Sequence, residues 1–238
     1  MDPLVIEAMQ PYFSEKFFNP SSPYAPAVTV KRDYCEAKSR IARVLGVGAD
    51  ELVMTAGATE SINLAFTAVS GVSLISAIEH SSVINSAKAR SDVRLISPIK
   101  NGRIDPQAVK KLLTPDVSFI SIALANHELG YIQPVEEIAE VVRLERVRRQ
   151  ENGESTPLIF HTDASQTAAL MDVKIKRLGV DLLTLSAAKV YGPKQVGLLW
   201  IRPGVKLRPN IVGGGQEAGL RSGTENVAGV VGFAEALE

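Results

Sequence analysis

The feature that most constrains the fold is an alternation of two kinds of segment along the 238-residue chain. Short runs rich in Val, Ile and Leu, which are typical of β-strands, alternate with longer amphipathic segments, which are typical of α-helices. The predicted strands span residues 52–55, 72–77, 93–96, 117–123, 158–161, 181–186 and 196–201. The predicted helices span residues 30–45, 60–69, 82–90, 106–113 and 135–149.

This order of elements predicts an α/β fold. Strands that alternate with helices form βαβ units, which build a parallel sheet covered by helices on both faces. Only residues 187–195 separate the last two strands, which is too short for a helical crossover, so we expect this pair to be antiparallel. The prediction is a three-layer α/β/α sandwich with a mixed, mostly parallel sheet. The polar stretch 148–156 is expected to be a helix end and an exposed loop.

The charge balance and the cysteine count argue against several classes of protein. With 26 basic and 26 acidic side chains, the chain lacks the positive charge typical of a nucleic-acid-binding domain. Its single cysteine excludes a disulfide framework and a cysteine-based metal site, and no metal-ligand pattern accompanies His161. There is no apolar run of about 18 residues and no recognisable export signal. We therefore expect a cytoplasmic protein without a metal, membrane or nucleic-acid partner.

The residues that follow each predicted strand form the candidate site, because open α/β sheets bind ligands beyond the carboxyl ends of their strands. After the first strand, residues 55–59 (TAGAT) combine small side chains with a helix start at about Thr59, where backbone amides can bind an anion. A plain turn with Thr59 as helix cap explains the same residues. His80 follows the second strand and could stack on a flat aromatic ligand, act as an acid or base, or simply face solvent.

Three later strands are also followed by polar residues. Residues 126–128 (NHE) indicate a site, although an Asn/Gly turn explains them equally well. Asp163 ends a central strand among alanines, where a buried carboxylate needs a cationic ring nitrogen or a helix N-terminus as its partner. Lys189 lies among small and apolar residues, where burial would lower the pKa of its amine as a Schiff-base lysine requires. Lys194 follows Gly-Pro and is expected to be a solvent-exposed turn residue.

Asp163 and Lys189 together point to one cofactor. They lie 26 residues apart at the ends of two successive predicted strands, so both can reach one ligand from different sides. An aspartate beneath a pyridinium nitrogen and a lysine that forms a Schiff base are the paired requirement of pyridoxal 5'-phosphate. The anion site at Thr59 and Ser186 would hold the phosphate. The sequence therefore predicts pyridoxal 5'-phosphate as the cofactor.

Seven collinear segments also give the chain a resemblance to a known family. They are FNPSS (18–22), TAGATESIN (55–63), EH (79–80), NHELG (126–130), HTDASQ (161–166), SAAKVYGPK (186–194) and GGGQEAGLRSGTEN (213–226). On these segments the chain resembles the cysteine desulfurase branch of the class V aminotransferases, which are fold type I pyridoxal-phosphate enzymes. The last segment narrows the resemblance from fold type I in general to this branch.

The resemblance implies a role for each matching residue. Lys189 would form the Schiff base and shuttle a proton, and Asp163 would pair with the pyridinium nitrogen. His80 would stack on the ring and assist proton transfer. The other implied contacts are Ala58, Thr59 and Ser186 to the phosphate, Gln166 and His127 to the ring hydroxyl, and Thr224 to the phosphate of a partner subunit in a homodimer.

Two positions depart from the family pattern. Ala188 stands where the family has a histidine just before the Schiff-base lysine, so one phosphate contact is lost. His127 stands where the family has an asparagine; it is bulkier, although it can still donate to the ring hydroxyl. Both changes could lower the affinity for the cofactor or alter the choice of substrate.

The resemblance also extends beyond this chain at both ends. The family begins further upstream and continues past the position of Glu238 with a small domain, a persulfide-forming cysteine on a mobile loop and a substrate-binding arginine. Residues 1–238 are therefore expected to be the cofactor-binding large domain, with residues 1–20 as an initial segment that borders the small domain. Cys35 lies within a predicted helix and is not expected to be the nucleophile.

The implied activity is the removal of sulfur from L-cysteine, which gives alanine and an enzyme persulfide for iron–sulfur cluster or thiolation pathways. This chain alone is expected to release little sulfide. The implied partners are L-cysteine, a second copy of the chain, and a sulfur acceptor or iron–sulfur scaffold protein. Two alternatives stay open: a selenocysteine lyase or another class V aminotransferase, and a non-catalytic module that binds the cofactor or a partner.

Overall fold

A computed structural model describes all residues 1–238 and contains one seven-stranded mixed sheet. The strands are β1 (Leu52–Thr55), β2 (Val72–Ser76), β3 (Val93–Ile96), β4 (Val117–Ser121), β5 (Ile159–Asp163), β6 (Leu182–Ser186) and β7 (Gly197–Ile201). Their order across the sheet is β1-β7-β6-β5-β4-β2-β3. Strand β7 is antiparallel to both of its neighbours, and the other pairs are parallel. The predicted antiparallel arrangement of the last two strands is confirmed.

The helices include all those predicted and three more. They are α1 (Pro3–Met9), α2 (Ala25–Leu45), α3 (Ala58–Ala65), α4 (Ser81–Lys88), α5 (Pro106–Leu112), α6 (Val135–Glu151), α7 (Ile175–Leu178) and α8 (Val227–Leu237). Asp105 caps α5 as its sequence predicts, since its carboxylate accepts from the Gln107 amide at 2.9 Å. No helix combines the length and the apolar character that crossing a membrane would take.

Two hydrophobic cores, one on each face of the sheet, make the three layers. The larger core joins α2, α5, α6 and α8 to one face of the sheet, and the smaller core joins α3 and α4 to the other face. Successive residues of β1 alternate between them, because Leu52 and Met54 belong to the larger core and Val53 to the smaller one. The predicted three-layer α/β/α sandwich is confirmed.

Two strand ends differ from the prediction in a way that shapes the site. Strand β4 ends at Ser121, two residues earlier than the apolar run suggests. Strand β5 instead extends to Asp163, because it lies between two partners and pairs with Thr184 at that point. Beyond β4 the chain still follows β5, since the Leu124 amide donates to the Asp163 carbonyl at 2.9 Å. The polar loops after both strands are thereby held next to each other.

The polar stretch 148–156 is a helix end and loop as predicted, with one exception. Helix α6 ends at Glu151, but Arg149 is buried with only 3% of its surface exposed. Its guanidinium donates to the Val117 carbonyl at 2.8 Å and pairs with Glu145 at 2.8 Å. This buried arginine ties the end of α6 to the start of β4.

Candidate active site

A cavity of about 490 Å³ lies at the edge where the parallel strands end. Strands β1, β2, β4, β5 and β6 contribute the residues that follow them, and the antiparallel β7 contributes those that precede it. The cavity brings together nine of the ten predicted site residues, namely Ala58, Thr59, His80, His127, Asp163, Gln166, Ser186, Ala188 and Lys189. The tenth, Thr224, is exposed and lines two neighbouring cavities instead.

Lys189 is exposed in the cavity wall, so the expectation of a buried lysine is wrong. Strand β6 ends at Ser186, and the single 3₁₀ turn that follows buries Ala187 but lifts Ala188 and Lys189 to the surface. The small and apolar neighbours that suggested burial therefore do not enclose the amine. No acidic side chain forms an ion pair with Lys189, so its amine is free to meet a ligand.

Asp163 is half-buried in the same wall and lacks a cationic partner at ion-pair distance. Its carboxylate accepts from the Ser165 amide at 2.9 Å, which is a turn contact. Burial raises the pKa of Asp163, while the neighbouring Ser165 and the nearby His80 and His127 rings oppose the rise. A cationic group in the cavity would stabilise the ionised carboxylate.

Two imidazole rings stand beside Asp163. The rings of His80 and His127 are 5.9 Å apart between centroids, at an interplanar angle of 54°. His80 Nδ1 accepts from the Ser82 amide at 3.1 Å, so His80 itself caps α4 and the helix begins one residue earlier than predicted. A neutral His80 therefore carries its proton on Nε2, which is left for a ligand.

The start of α3 lines the part of the cavity that we call the anion-binding end, because its backbone amides are suited to an anion. Gly57 precedes the helix with φ 131°, a conformation that favours glycine, and no side chain caps the helix. Thr59 is therefore not the helix cap, and that explanation of the segment is wrong. The Ala56 amide is occupied by the Glu60 carboxylate at 2.8 Å, whereas the first amides of the helix remain available.

The loop that carries Thr224 is held by two buried acidic side chains. Glu225 pairs with Lys31 at 3.0 Å. Glu217 pairs with Lys38 at 3.0 Å and also accepts from the Met54 amide in β1 at 2.8 Å. These contacts anchor residues 213–226 beside the cavity, although Thr224 itself does not reach it.

His161 is a core residue and not part of the site. It is fully buried between Ser121 Oγ at 2.8 Å and Thr184 Oγ1 at 3.0 Å, and its ring stacks on Phe119. Burial lowers its pKa to about 3, so the ring is neutral at pH 7. Its place in the HTDASQ segment reflects packing beneath the cavity rather than chemistry within it.

Sequence reasoning missed Glu79 and gave only half of the role of Asn126. Glu79 is buried; its Oε1 accepts from the Ala123 amide at 2.8 Å and its Oε2 has no partner. Burial raises its pKa to about 8. Asn126 holds the loop that presents His127, because its side chain donates to the Ile78 carbonyl at 2.7 Å and accepts two amides. Residues 126–128 thus form a turn, and Asn126 and His127 also line the cavity.

Sequence reasoning placed Lys194 outside the site and did not consider Gln195. Lys194 is exposed as expected, but it lines the cavity rather than an isolated turn, and Gln195 lies next to it. The signal was available, because a β7 that is antiparallel to β6 must begin at the edge where β6 ends. The residues just before β7 could therefore have been assigned to the site from the sequence.

Comparison with known proteins identifies a matching family and similar chains. The family described as Aminotransferase class-V matches residues 1–238. Cysteine desulfurase IscS 1 of Archaeoglobus fulgidus is 39% identical over 249 residues, which cover 100% of this chain and 62% of that protein. A solved structure described as a NifS-like protein superposes with a TM-score of 0.92 at 36% identity and covers 100% of this chain and 66% of that one.

A second solved structure, of SspA in complex with cysteine, has a TM-score of 0.90 at 35% identity and covers 100% of this chain and 69% of that one. The chain spans about three fifths of the length of the curated relatives it matches. The family match extends over every described residue, including the five strand ends that build the cavity. The chain therefore belongs to the class V aminotransferase family.

Proposed function

We propose that this chain binds pyridoxal 5'-phosphate and provides the cofactor-binding part of a cysteine desulfurase site. One observation carries the proposal: Asp163 ends β5, Lys189 follows the neighbouring β6, and both line one cavity together with the uncapped start of α3. The relatives at 39% identity are named cysteine desulfurases, and the similar SspA structure contains cysteine. These names support the desulfurase reaction over other reactions of the family.

The donor set of the cavity fits both ends of this cofactor. Lys189, Lys194 and the first amides of α3 favour a phosphate group. Asp163, whose pKa is raised by burial, gains a cationic partner when a protonated ring nitrogen lies beside it. The buried Ser165 hydroxyl, which has no hydrogen-bond partner in the chain, lines the same cavity and can bond to a ligand.

The roles of the chain's own residues follow from these positions. Bound pyridoxal phosphate supplies an electron sink for the charge that remains when an amino acid loses its α-proton. Asp163 would keep the ring nitrogen positive, and His80 would cover the ring with Nε2 free. The Lys189 amine would hold the cofactor covalently until the substrate amine displaces it, and the freed amine would then accept the α-proton of the substrate. Gln166 and His127 would bond to the ring hydroxyl.

The proposed substrate is L-cysteine, and the proposed products are alanine and a persulfide on a cysteine thiolate. Cys35 is exposed on α2 and does not line the cavity, so it is not proposed as that thiolate. A second copy of the chain would contribute Thr224 to the phosphate. A sulfur acceptor or iron–sulfur scaffold would receive the sulfur. The homodimer, the acceptor and a cytoplasmic location stay predictions.

Covalent labelling tests the proposal. The purified chain is incubated with pyridoxal phosphate and reduced with borohydride, and the modified peptide is identified by mass spectrometry. We expect a yellow protein with the label on Lys189. Lys189→Ala should abolish the label and the matched control Lys194→Ala should retain it. A label on Lys194 in the unsubstituted chain, or no label, would contradict the assignment.

A further inference from the structure

Gln195 has a backbone conformation that its side chain does not favour. Its φ is 59°, in the left-handed region that residues with a Cβ rarely adopt. Glycine would take this conformation without strain. The side chain is exposed, and its carboxamide forms no hydrogen bond within the chain. A residue with a strained backbone and a polar side-chain group that has no hydrogen-bond partner is a candidate for ligand contact when it lines a cavity.

The position of Gln195 is at the anion-binding end. Gln195 and Ala56 together line the main cavity and two adjoining cavities. Two residues further on, Gly197 packs so closely on the turn that an added Cβ would lie 2.6 Å from the carbonyl carbon of Gly57. The segment before β7 is thus seated against the turn that precedes α3.

This end of the cavity lacks a donor that the family pattern provides. Ala188 stands in place of the family's phosphate-contacting histidine and offers no side-chain hydrogen bond. The Ala56 amide is occupied by Glu60 at 2.8 Å. The carboxamide of Gln195 has two N–H donors and carries no charge, so it can donate to an anion without competing ion pairs.

We propose that the Gln195 carboxamide donates a hydrogen bond to the phosphate of the cofactor, in place of the donor that Ala188 lacks. Gln195 is then a residue that selects the phosphorylated cofactor over its unphosphorylated form. This inference rests on the proposed function, since it requires pyridoxal phosphate in the cavity. It adds a residue specific to this chain to the phosphate contacts that the family pattern implies.

The test compares the affinities of pyridoxal phosphate and pyridoxal, measured by absorbance titration of the ligand-free chain. Gln195→Gly should weaken pyridoxal phosphate about tenfold, as expected for a hydrogen bond to a charged group, and leave pyridoxal unchanged. The same variant should raise the Tm of the ligand-free chain, because it relieves the left-handed conformation. A residue with a purely structural role would not separate the two ligands.

Two charge variants complete the test. Gln195→Glu places a negative charge beside the phosphate and should weaken pyridoxal phosphate more than tenfold while sparing pyridoxal. Gln107→Glu makes the same change on exposed α5, outside the cavity, and should alter neither affinity. The proposal is overturned if the Gln195→Gly variant binds pyridoxal phosphate as tightly as the parent does. It is also overturned if the variant loses affinity for both ligands equally.

The borohydride label separates this inference from the proposed function. A parent chain labelled at Lys189, with an unchanged affinity ratio in Gln195→Gly, refutes the role of Gln195 alone. A parent chain that takes no label at Lys189 refutes both.

Discussion

Replacing the buried Glu79 with glutamine is expected to remove a loss of stability that the protein undergoes above neutral pH. Only 7% of Glu79 is exposed, and its Oε2 has no hydrogen-bond partner. Glutamine has nearly the same shape and keeps an oxygen that can accept from the Ala123 amide. The substitution therefore removes a titrating group while preserving the packing beneath the cavity.

The direction follows from proton binding. Burial, with a smaller contribution from the Asp163 carboxylate, raises the pKa of Glu79 from 4.5 to about 8. The folded state binds this proton more tightly than the unfolded state does. The contribution of Glu79 to the free energy of unfolding is therefore full below pH 4.5 and is lost as the pH rises to 8. His161 acts in the opposite direction, because burial lowers its pKa from 6.5 to about 3 and its contribution is lost as the pH falls below 6.5.

The two contributions offset each other between pH 4.5 and 6.5, which leaves a window from pH 6.5 to about 8 in which Glu79 dominates the pair. The free energy of unfolding changes by about 1.4 kcal/mol per pH unit, so it falls by about 2 kcal/mol as the pH rises through this window. Burial also raises the pKa of Asp163, so Asp163 changes the stability with the same sign as Glu79 does. Because Asp163 is present in both the parent and the Glu79→Gln variant, the comparison isolates Glu79.

Urea unfolding of the ligand-free chain at pH 6.5 and pH 8.5 measures the effect. The parent should lose about 2 kcal/mol more than Glu79→Gln between these two conditions. Glu128→Gln makes the same chemical change at an exposed position of the adjacent loop and should behave as the parent does. Equal pH dependence in the parent and in Glu79→Gln would refute the reasoning, because it would mean that Glu79 is ionised in the folded protein at pH 6.5.

Three further substitutions test the fold that supports the site. Arg149→Ala should lower the free energy of unfolding by about 3 kcal/mol in urea unfolding, because it leaves the nearly buried Glu145 without one of its cationic partners and opens a cavity. His161→Phe should destabilise the chain at pH 7 by leaving Thr184 without its side-chain partner, yet reduce the additional loss between pH 6 and pH 4 in acid unfolding. Asp105→Ala should cost about 1 kcal/mol of thermal stability through the lost cap of α5.

The strands were predictable because each is a short apolar run, and most helices were predictable because they are amphipathic. Helix α8 was not predictable. Helix α8 is buried on nearly all sides, with Val230 and Phe233 in the larger core and Ala228 packed with Val5 of α1. A helix covered in this way has no polar face, so its sequence carries no period of 3.6 residues. Periodicity therefore finds the helices at the surface of a sandwich and overlooks a helix enclosed by others.

The residues that line the candidate site were predictable from the strand ends, but their exposure was not. The apolar neighbours of Lys189 predict burial only if the chain after β6 stays within the sheet layer. The 3₁₀ turn at Ala187–Lys189 instead takes the chain out of that layer and exposes Lys189. The opposite holds for Glu79, whose charge suggests exposure although the residue is buried beside the Ala123 amide. In both cases local sequence identifies the residue and tertiary packing decides its environment.

The charges around the cavity also decide which way a ligand can lie. Asp163 lines one part of the wall, whereas Lys194 and the start of α3 line the part that Gln195 joins. A ligand with a positive ring nitrogen and a negative group at its other end satisfies both parts in one orientation. The reversed orientation would bring like charges together at each end. Such a ligand would therefore lie with its negative group at α3, and the exposed Lys189 amine lines the same cavity.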